Sequence, residues 1–429
     1  MSRRIAIITF SGAAGVLFLA GLFGFPGYFL GGDYLSPSTA LVSKGDVIVT
    51  NFQPGHGFVI QSASGPQVDD TSDFAIGNQS LKLVTDGDGS AVFTRKSEIS
   101  PALNFTDRLL KLWIKVNGTG NLSELRVTVT SDDFRTYTDY WIAGGKGAGT
   151  GFLVDNEWNV VTLSPSQSAP IGDSDISRVD TIQIRVADDG LGRTLTLWVN
   201  SLVLVAKNDR AIVTFAFDDG YDTDYTKARP VLDRYHFTAT SYVIASLVGA
   251  PGRLNIGQLT NLQELNGWDI ASHSYSHLNL TSLAPSEIKN DLTQSQQFLA
   301  NNGFQKGAGH FAYPYGEFHN DELMRLVQKY YNTARTTEGA VETLPPSDPH
   351  RLRAMVIMNT TTLSEVSESV ESAIASGDWL ILVFHKIVDA NANDELAYLT
   401  SDFEAIVDDI AASGADVMTV SEVYENRYR

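Results

Sequence analysis

Apolar and polar residues alternate along short stretches in the first half of the chain. In Leu110–Val116 every second side chain is apolar, which is typical of a strand with one buried face. Turns rich in Gly, Asp and Asn separate such stretches between residues 45 and 206, and no helical period interrupts them. This pattern predicts an all-β sandwich of the jelly-roll sort. The predicted strands include Ser80–Val84, Leu110–Val116, Leu125–Thr130, Asn159–Leu163, Thr181–Val186 and Thr194–Val205.

The pattern changes at Ala211. Strand-like runs now alternate with amphipathic stretches at helical spacing, which predicts a parallel α/β sheet, open or closed into a barrel. The predicted strands are 211–217, 239–245, Trp268–Ser272, His310–Tyr313, Arg351–Ile357, Trp379–Phe384 and Asp416–Val420. The predicted helices are Thr226–Tyr235, Pro285–Ala300, Asp321–Tyr331, Leu363–Ser376 and Asp402–Ala412.

A long apolar run stands at the N-terminus. Arg3 and Arg4 precede 26 uncharged residues, Ile5–Leu30, which at about 1.5 Å per residue can span a bilayer. We interpret residues 1–32 as a membrane anchor, with a cleaved signal peptide as the alternative. Either interpretation exports the remaining chain, which we divide into residues 45–206 and 208–429.

Charge and cysteine content restrict the chemistry. The net charge is −19, and residues 208–429 hold 15 Lys and Arg against 30 Asp and Glu, a net −15. Binding to nucleic acid or to an anionic membrane surface through net charge is therefore disfavoured. The chain has no cysteine, so any metal must be bound by carboxylates and by the 8 histidines.

Two polar motifs follow predicted strands of the second half. Asp218 and Asp219 end the first strand, where parallel folds place their reactive groups, and Gly220 lets the backbone turn away. An Asp-Asp-Gly sequence is also a common turn. His273 and His277 are four residues apart, a spacing that offers two imidazole ligands to one ion. With Asp219 they would form a hydrolytic metal site that leaves positions open for water and substrate.

Two further segments supply candidate groups. The turn Tyr313-Pro-Tyr-Gly316 can present a backbone N–H to a developing oxyanion. The apolar strand Leu380–Phe384 ends at His385, a position more typical of a catalytic than of a structural histidine. In the first half, Tyr137, Tyr140 and Trp141 are suited either to stacking on sugar rings or to packing between sheets.

These four segments, in this order, resemble the motifs of the polysaccharide deacetylase family, carbohydrate esterase family 4. The T-F-D-D-G motif corresponds to Phe215–Gly220, and the H-[ST]-x-x-H motif is matched by His273, Ser274 and His277. The L-x-x-H motif is matched by Leu382 and His385. The resemblance covers 211–420 and implies a distorted (β/α) barrel. Residues 45–206 resemble, by pattern alone, the carbohydrate-binding jelly rolls appended to secreted enzymes.

The resemblance also implies roles for individual residues. Asp219, His273 and His277 would bind a divalent metal, most simply zinc, with cobalt or manganese as alternatives. Asp218 would be the general base and His385 the general acid. The backbone N–H of Tyr315 would donate to the oxyanion, and Leu382 would line the pocket for the acetyl methyl group.

Two features depart from the family pattern. The arginine of the family's R-x-P-[YF] motif falls on Ala312. We take Arg353 as its replacement, with Arg351 and Arg335 as the alternatives. The family's Asp- and Trp-containing motif has no clear counterpart, although Asp378-Trp379 are candidates for a pocket wall.

The sequence therefore predicts an extracytoplasmic hydrolase that removes acetyl groups from N-acetylated sugars of a polysaccharide, held at the membrane by its N-terminal helix or secreted. The first alternative is an esterase for O-acetylated polysaccharides, which would use the same residues. The second is a carbohydrate-binding surface protein without activity, and the intact set of candidate catalytic residues argues against it.

Overall fold

The computed structural model describes residues 46–62, 66–144, 153–165, 168–339, 341–390 and 394–428. The predicted anchor, residues 1–32, lies outside these ranges. Among the helices of the described residues, none has the length and apolarity needed to cross a bilayer.

The first half of the described chain forms two antiparallel sheets. One has the strand order β3-β4-β12-β6-β9, with β1 also paired to β12, and the other has the order β10-β8-β7-β11-β5-β2. The strands are β1 (Val47–Thr50), β2 (Val59–Ile60), β3 (Gln67–Asp70), β4 (Ser80–Val84), β5 (Val92–Lys96), β6 (Arg108–Asn117), β7 (Leu122–Thr130), β8 (Tyr137–Ala143), β9 (Trp158–Leu163), β10 (Ser168–Ile171), β11 (Thr181–Asp188) and β12 (Thr196–Ala206).

The two sheets enclose one apolar core. Leu112 and Ile114 of β6 belong to the same buried cluster as Val127 of β7 and Ile184 of β11, in the opposite sheet. The predicted alternation of apolar and polar residues therefore matches the strands that build this sandwich. Its resemblance to the jelly rolls stays a prediction. Tyr140 packs into the core, while Trp141, its neighbour in sequence, lies under the guanidinium of Arg126 at 4.8 Å. The three aromatic residues considered for sugar stacking therefore do not form one surface.

The second half contains a parallel half-barrel. Its strand order is β17-β16-β15-β14-β13-β19-β18, with β22 also paired to β13. The strands are β13 (Ile212–Asp219), β14 (Ala239–Val243), β15 (Asp269–Ser272), β16 (His310–Ala312), β17 (Thr333–Arg335), β18 (Met355–Val356), β19 (Trp379–Phe384) and β22 (Asp416–Val417), and the short β20 (Lys386–Val388) pairs with β21 (Ala397–Leu399).

Helices cover the outer face of this sheet. Helix α5 shows why they begin and end where they do: Thr362 and Glu365 form a capping box at its start, and Gly377 adopts φ 71° at its end. The helices are α1 (Arg229–Leu232), α2 (Ile256–Asn266), α3 (Pro285–Asn301), α4 (Asp321–Tyr330), α5 (Leu363–Ser376), α6 (Thr400–Ser413) and α7 (Val420–Val423).

Several elements of the second half differ from the predicted ones. Helix α2 and strand β17 were not predicted, and the predicted strand Arg351–Ile357 shrinks to Met355–Val356. Strand β17 has only three residues, too few for any periodicity to be read. Helix α2 has a weakly amphipathic sequence, but its Asn255 and Gln258 capping box and the C-terminal Gly267 were legible signals.

The sandwich contacts the half-barrel through strand β9. The backbone N–H of Thr162 donates to Ser347 Oγ at 2.8 Å, and Arg351 Nη2 donates to Asn159 Oδ1 at 3.3 Å. All four residues are buried. Strand β9 lies at the edge of its sheet, so these contacts cover an edge strand.

Candidate metal and catalytic site

The candidate residues meet at one end of the half-barrel. Asp218 and Asp219 end β13, His273 follows β15, the turn containing Tyr315 follows β16, and His385 follows β19. Because the carboxyl ends of parallel strands share one edge of a sheet, residues distant in sequence converge there.

Three of these residues form a cluster of potential metal ligands. One donor atom from each of Asp219, His273 and His277 lies within 4.8 Å of the other two. Asp219 Oδ1 is 3.4 Å from His277 Nε2 and 3.7 Å from His273 Nε2. Zinc binds such nitrogen and oxygen atoms at about 2.0–2.2 Å, so tetrahedral ligands lie about 3.3–3.5 Å apart. Asp219 Oδ1 is also buried without a hydrogen-bond partner among the described residues. The donor set therefore fits a divalent ion.

The two histidines are held by different contacts. His273 Nδ1–H donates to the carbonyl oxygen of Ala312 at 2.9 Å, which leaves Nε2 free to face the carboxylates. The backbone N–H of His277 donates to Ser274 Oγ at 2.8 Å. Burial, and then the neighbouring His273, lower the pKa of His277. A lowered pKa keeps the His277 imidazole neutral and able to bind metal at neutral pH.

Asp218 is bound by a buried arginine. Nη2 of Arg335 lies 2.6 Å from both carboxylate oxygens of Asp218. Both side chains are buried. Burial by itself would raise the pKa of Asp218, but the charge of Arg335, with smaller contributions from His273 and His385, outweighs it and lowers this pKa. Asp218 is therefore ionised and able to accept a proton.

This arginine corrects the sequence prediction. Arg353, taken as the replacement for the missing family arginine, instead pairs with Glu342 at 2.9 Å, and Arg351 pairs with Asp348 at 2.8 Å. Arg335, the remaining alternative, faces Asp218. The register explains the substitution, because Arg335 on β17 is the direct neighbour of Ala312 on β16.

Two further sequence expectations are wrong. Leu382 does not line the cleft: it is fully buried in the core that β19 shares with the outer helices, packed with Phe215. Alternate strand residues face opposite sides of the sheet, so Leu382 and the pocket-facing His385 diverge. Asp378-Trp379 lie at the start of β19, the end of the strand away from His385, and Trp379 packs inside the half-barrel.

His385 and the three potential metal ligands line the same small cleft. His385 Nε2 is 4.0 Å from Asp218 Oδ2, and its Nδ1 is buried without a partner among the described residues. The cleft has a volume of about 210 Å³. Pockets that enclose a whole drug-sized ligand measure about 300–1,000 Å³. This cleft is therefore suited to one small group of a larger substrate. It is lined by Asp218, Asp219, His273, His277, Tyr313, Tyr315, Gly316, Thr337, Val356, His385 and Leu396.

Tyr315 lies at the mouth of this cleft. Its backbone adopts a left-handed conformation, φ 60°, and 62% of the residue is exposed. The ring packs against the His277 ring at 4.7 Å, and its hydroxyl donates to the His277 carbonyl oxygen at 3.1 Å. Tyr315 thus lies beside His277, one of the three potential metal ligands.

Asp219 has a strained backbone that a second arginine supports. Its φ is +70°, a conformation that costs a non-glycine residue about 1–2 kcal/mol. Arg253 Nη1 donates to the Asp219 carbonyl oxygen at 2.7 Å, and its guanidinium stacks on Tyr221 at 3.9 Å. No motif in the sequence marks Arg253, which lies just before α2.

Asp224 is a buried carboxyl group that the sequence analysis also missed. Its side chain accepts a hydrogen bond from the Ser241 hydroxyl at 2.9 Å. Burial, and then the nearby charges of Asp218 and Asp219, raise the pKa of Asp224 well above its ordinary value. The raised pKa favours the protonated form of Asp224, which limits the negative charge beside the site.

Removing the Arg335 charge should destabilise the fold. Arg335→Met leaves Asp218 charged, buried and unpaired, and breaking a buried pair in this way costs about 3–5 kcal/mol. Urea denaturation at neutral pH measures the change in the free energy of unfolding. Arg325→Met, which breaks an exposed pair with Glu322, should lower the free energy of unfolding far less, because water already screens that pair. The double variant Arg335→Met/Asp218→Asn should recover most of the loss. An Arg335→Met protein as stable as the Arg325→Met control would contradict the prediction.

Comparison with known proteins agrees with the site. The sequence profile of the polysaccharide deacetylase family matches residues 206–334. YxkH of Bacillus subtilis, whose name assigns it to the polysaccharide deacetylases, is 31% identical over 148 residues, 34% of this chain and 52% of that protein. The poly-beta-1,6-N-acetyl-D-glucosamine N-deacetylase of Staphylococcus epidermidis is 26% identical over 156 residues, 33% of this chain and 53% of that protein.

Among solved structures, the chain is similar to the Xyl-CE4 domain of a multidomain xylanase from the hindgut metagenome of Trinervitermes trinervoides. The identity is 18%, the TM-score is 0.37, and the match covers 51% of this chain and 96% of that domain. The chain spans about half the length of the two bacterial relatives that it matches. The family profile begins just before β13 and ends within β17, so it includes Asp218, Asp219, His273 and His277 but stops one residue before Arg335. Residues 206–334 of this chain are therefore similar to the polysaccharide deacetylase family.

Proposed function

We propose that this protein is a metal-dependent hydrolase that removes acetyl groups from N-acetylated sugars of a polysaccharide. One observation carries the proposal: the donor atoms of Asp219, His273 and His277 converge within 4.8 Å, in a cleft that Asp218 and His385 also line. Three protein ligands beside a candidate base and a candidate acid are the composition of a hydrolytic metal site.

The ion would be held by Asp219, His273 and His277, and zinc suits this mixture of carboxylate and imidazole, with cobalt or manganese as substitutes. When bound, a divalent ion supplies Lewis acidity, which polarises the acetyl carbonyl and makes a water molecule easier to deprotonate.

The remaining groups of the cleft account for the proton transfers. Asp218 accepts a proton from the attacking water, whose oxygen bonds to the acetyl carbon. The backbone N–H of Tyr315 donates to the oxyanion that forms. His385 donates a proton to the sugar nitrogen as the C–N bond breaks. The products are acetate and a free amino sugar.

Substrate class follows from the relatives and from the cleft. The staphylococcal relative is named as acting on poly-beta-1,6-N-acetyl-D-glucosamine. A cleft of about 210 Å³ admits an acetamido group while the polymer stays outside. We therefore propose an N-acetylglucosamine polymer as the substrate. Each turnover creates a cationic amine, which the net −15 of residues 208–429 tolerates.

The site of action is proposed to be outside the cytoplasm. The support is the N-terminal run of 26 uncharged residues preceded by Arg3 and Arg4, which would anchor the chain or direct its secretion.

Acetate release from a panel of acetylated glycans tests the function. We expect the purified protein to release acetate from β-1,6-linked N-acetylglucosamine oligomers or chitooligosaccharides, and at most slowly from acetylxylan. A chelator should abolish the release, and added zinc should restore it. Faster release from acetylxylan would favour an O-acetyl esterase. Absence of release from every glycan, with zinc bound, would indicate an inactive binding protein.

A further inference from the structure

The loop that carries both histidine ligands is held in an unusual conformation. Within residues 273–277, Ser274 has φ +65° and His277 has φ +57°, although the loop contains no glycine. Residues other than glycine adopt this left-handed region only where the surrounding structure imposes it. One bond within the loop, from the His277 N–H to Ser274 Oγ, supports this shape, and contacts from outside the loop must supply the rest.

Asp291 of helix α3 makes the contacts that do this. Its carboxylate accepts the backbone N–H of Tyr275 at 2.8 Å and that of Ser276 at 3.0 Å, and the Ser276 hydroxyl donates to it as well. The side chain of Asp291 is almost fully buried. No ion pair joins it to a Lys, Arg or His within the described part of the chain. Its hydrogen bonds thus go to the two loop residues that lie between Ser274 and His277.

The loop also receives hydrogen bonds from a neighbouring segment, and these differ in kind from the contacts of Asp291. The N–H groups of Ala245 and Ser246 donate to the carbonyl oxygens of Ser274 and Tyr275 at 3.2 and 3.0 Å. Those bonds go to carbonyl oxygens of the loop, whereas Asp291 accepts hydrogen bonds from N–H groups of the loop. Hydrogen bonds to a charged acceptor are about twice as strong as neutral ones. Loss of the carboxylate should therefore weaken the hydrogen bonds that hold the N–H groups of Tyr275 and Ser276.

We propose that Asp291 is a positioning residue that sets the metal affinity of the site by fixing the loop 273–277 before the ion binds. The inference rests on the proposed metal site and adds a residue that touches neither metal nor substrate. Residues that orient metal ligands from outside typically contribute about 10–100-fold in affinity. Asp291→Asn keeps the size of the side chain but replaces one acceptor oxygen by an N–H₂ group that faces donors.

Zinc titration of the metal-free protein in competition with a chromophoric chelator tests the proposal. Asp291→Asn should raise the Kd for zinc about 10–100-fold, while kcat at saturating zinc stays within a few-fold of the original protein. Ser276→Ala removes only the hydroxyl donor and should raise the Kd less. Glu264→Gln, which removes one negative charge from an exposed position on α2, is the matched control and should leave the Kd unchanged.

Amide hydrogen exchange of the metal-free protein supplies a readout independent of activity. The peptide containing residues 273–277 should exchange faster in Asp291→Asn, whereas peptides of the sandwich should not change. A Kd within twofold of the original, with unchanged exchange of the loop, would overturn the proposal. If Asp291→Asn fails to fold, Ser276→Ala decides in the same way: a raised Kd supports the role and an unchanged Kd overturns it. Failure of the original protein to bind zinc would instead overturn the proposed metal site.

Discussion

His277→Ala should abolish both the proposed metal binding and the proposed deacetylase activity. The substitution removes one of three ligand side chains, and the two that remain, Asp219 and His273, cannot hold a divalent ion at comparable affinity. We expect less than a tenth of the original metal content after dialysis, and no measurable acetate release. Elemental analysis of the dialysed protein, combined with an acetate assay, measures both quantities.

His236→Asn is the matched control for this substitution. His236 is an exposed histidine with φ +56°, a conformation that asparagine tolerates, and it lies outside the cleft. Metal content and rate should remain those of the original protein. Full metal occupancy in His277→Ala would show that His277 is not a ligand.

Asp218→Asn should separate the proton acceptor from the metal ligands. Asp219, His273 and His277 are untouched, so the metal content should stay near that of the original protein. Turnover should fall by roughly 10²–10⁴-fold, the usual contribution of a positioned acid–base group. Parallel measurement of bound metal and kcat gives the comparison, with circular dichroism to confirm folding because Arg335 loses its charged partner.

Asp209→Asn is the control for charge, since Asp209 is exposed and precedes β13. It should alter neither metal content nor kcat. If Asp218→Asn loses its metal, or keeps near-normal turnover, then the roles of Asp218 and Asp219 are exchanged or shared.

Much of the fold is legible in the sequence because its strands follow strong local patterns. Leu110–Val116 alternates because one face of β6 is buried in the sandwich core, and Trp379–Phe384 is continuously apolar because both faces of β19 are covered. The approximate positions of the candidate site residues follow for the same reason. Asp218, Asp219, His273 and His385 come directly after strands that the pattern marks, and His277 lies four residues beyond His273.

What the sequence could not provide depends on pairing between strands. The family arginine is absent at Ala312, and only the register of β16 with β17 shows that Arg335 stands beside that position. Strand β17 is too short to be recognised locally, so the sequence favours Arg353, which lies on the predicted strand Arg351–Ile357. The prediction that Leu382 lines the cleft is wrong for a related reason. The face of the sheet on which Leu382 lies depends on the elements that pack against it, and its distance from His385 along the chain does not determine that face.

The position of strand β9 has a consequence for work with fragments of this protein. In the full chain, the Thr162 N–H at this outer edge is satisfied by Ser347 of the second half. A sandwich produced by itself would present β9 as an open row of backbone donors and acceptors, and open edges recruit strands from other molecules. Such a fragment is prone to edge-to-edge self-association in solution, a tendency that the intact chain suppresses with its own second half.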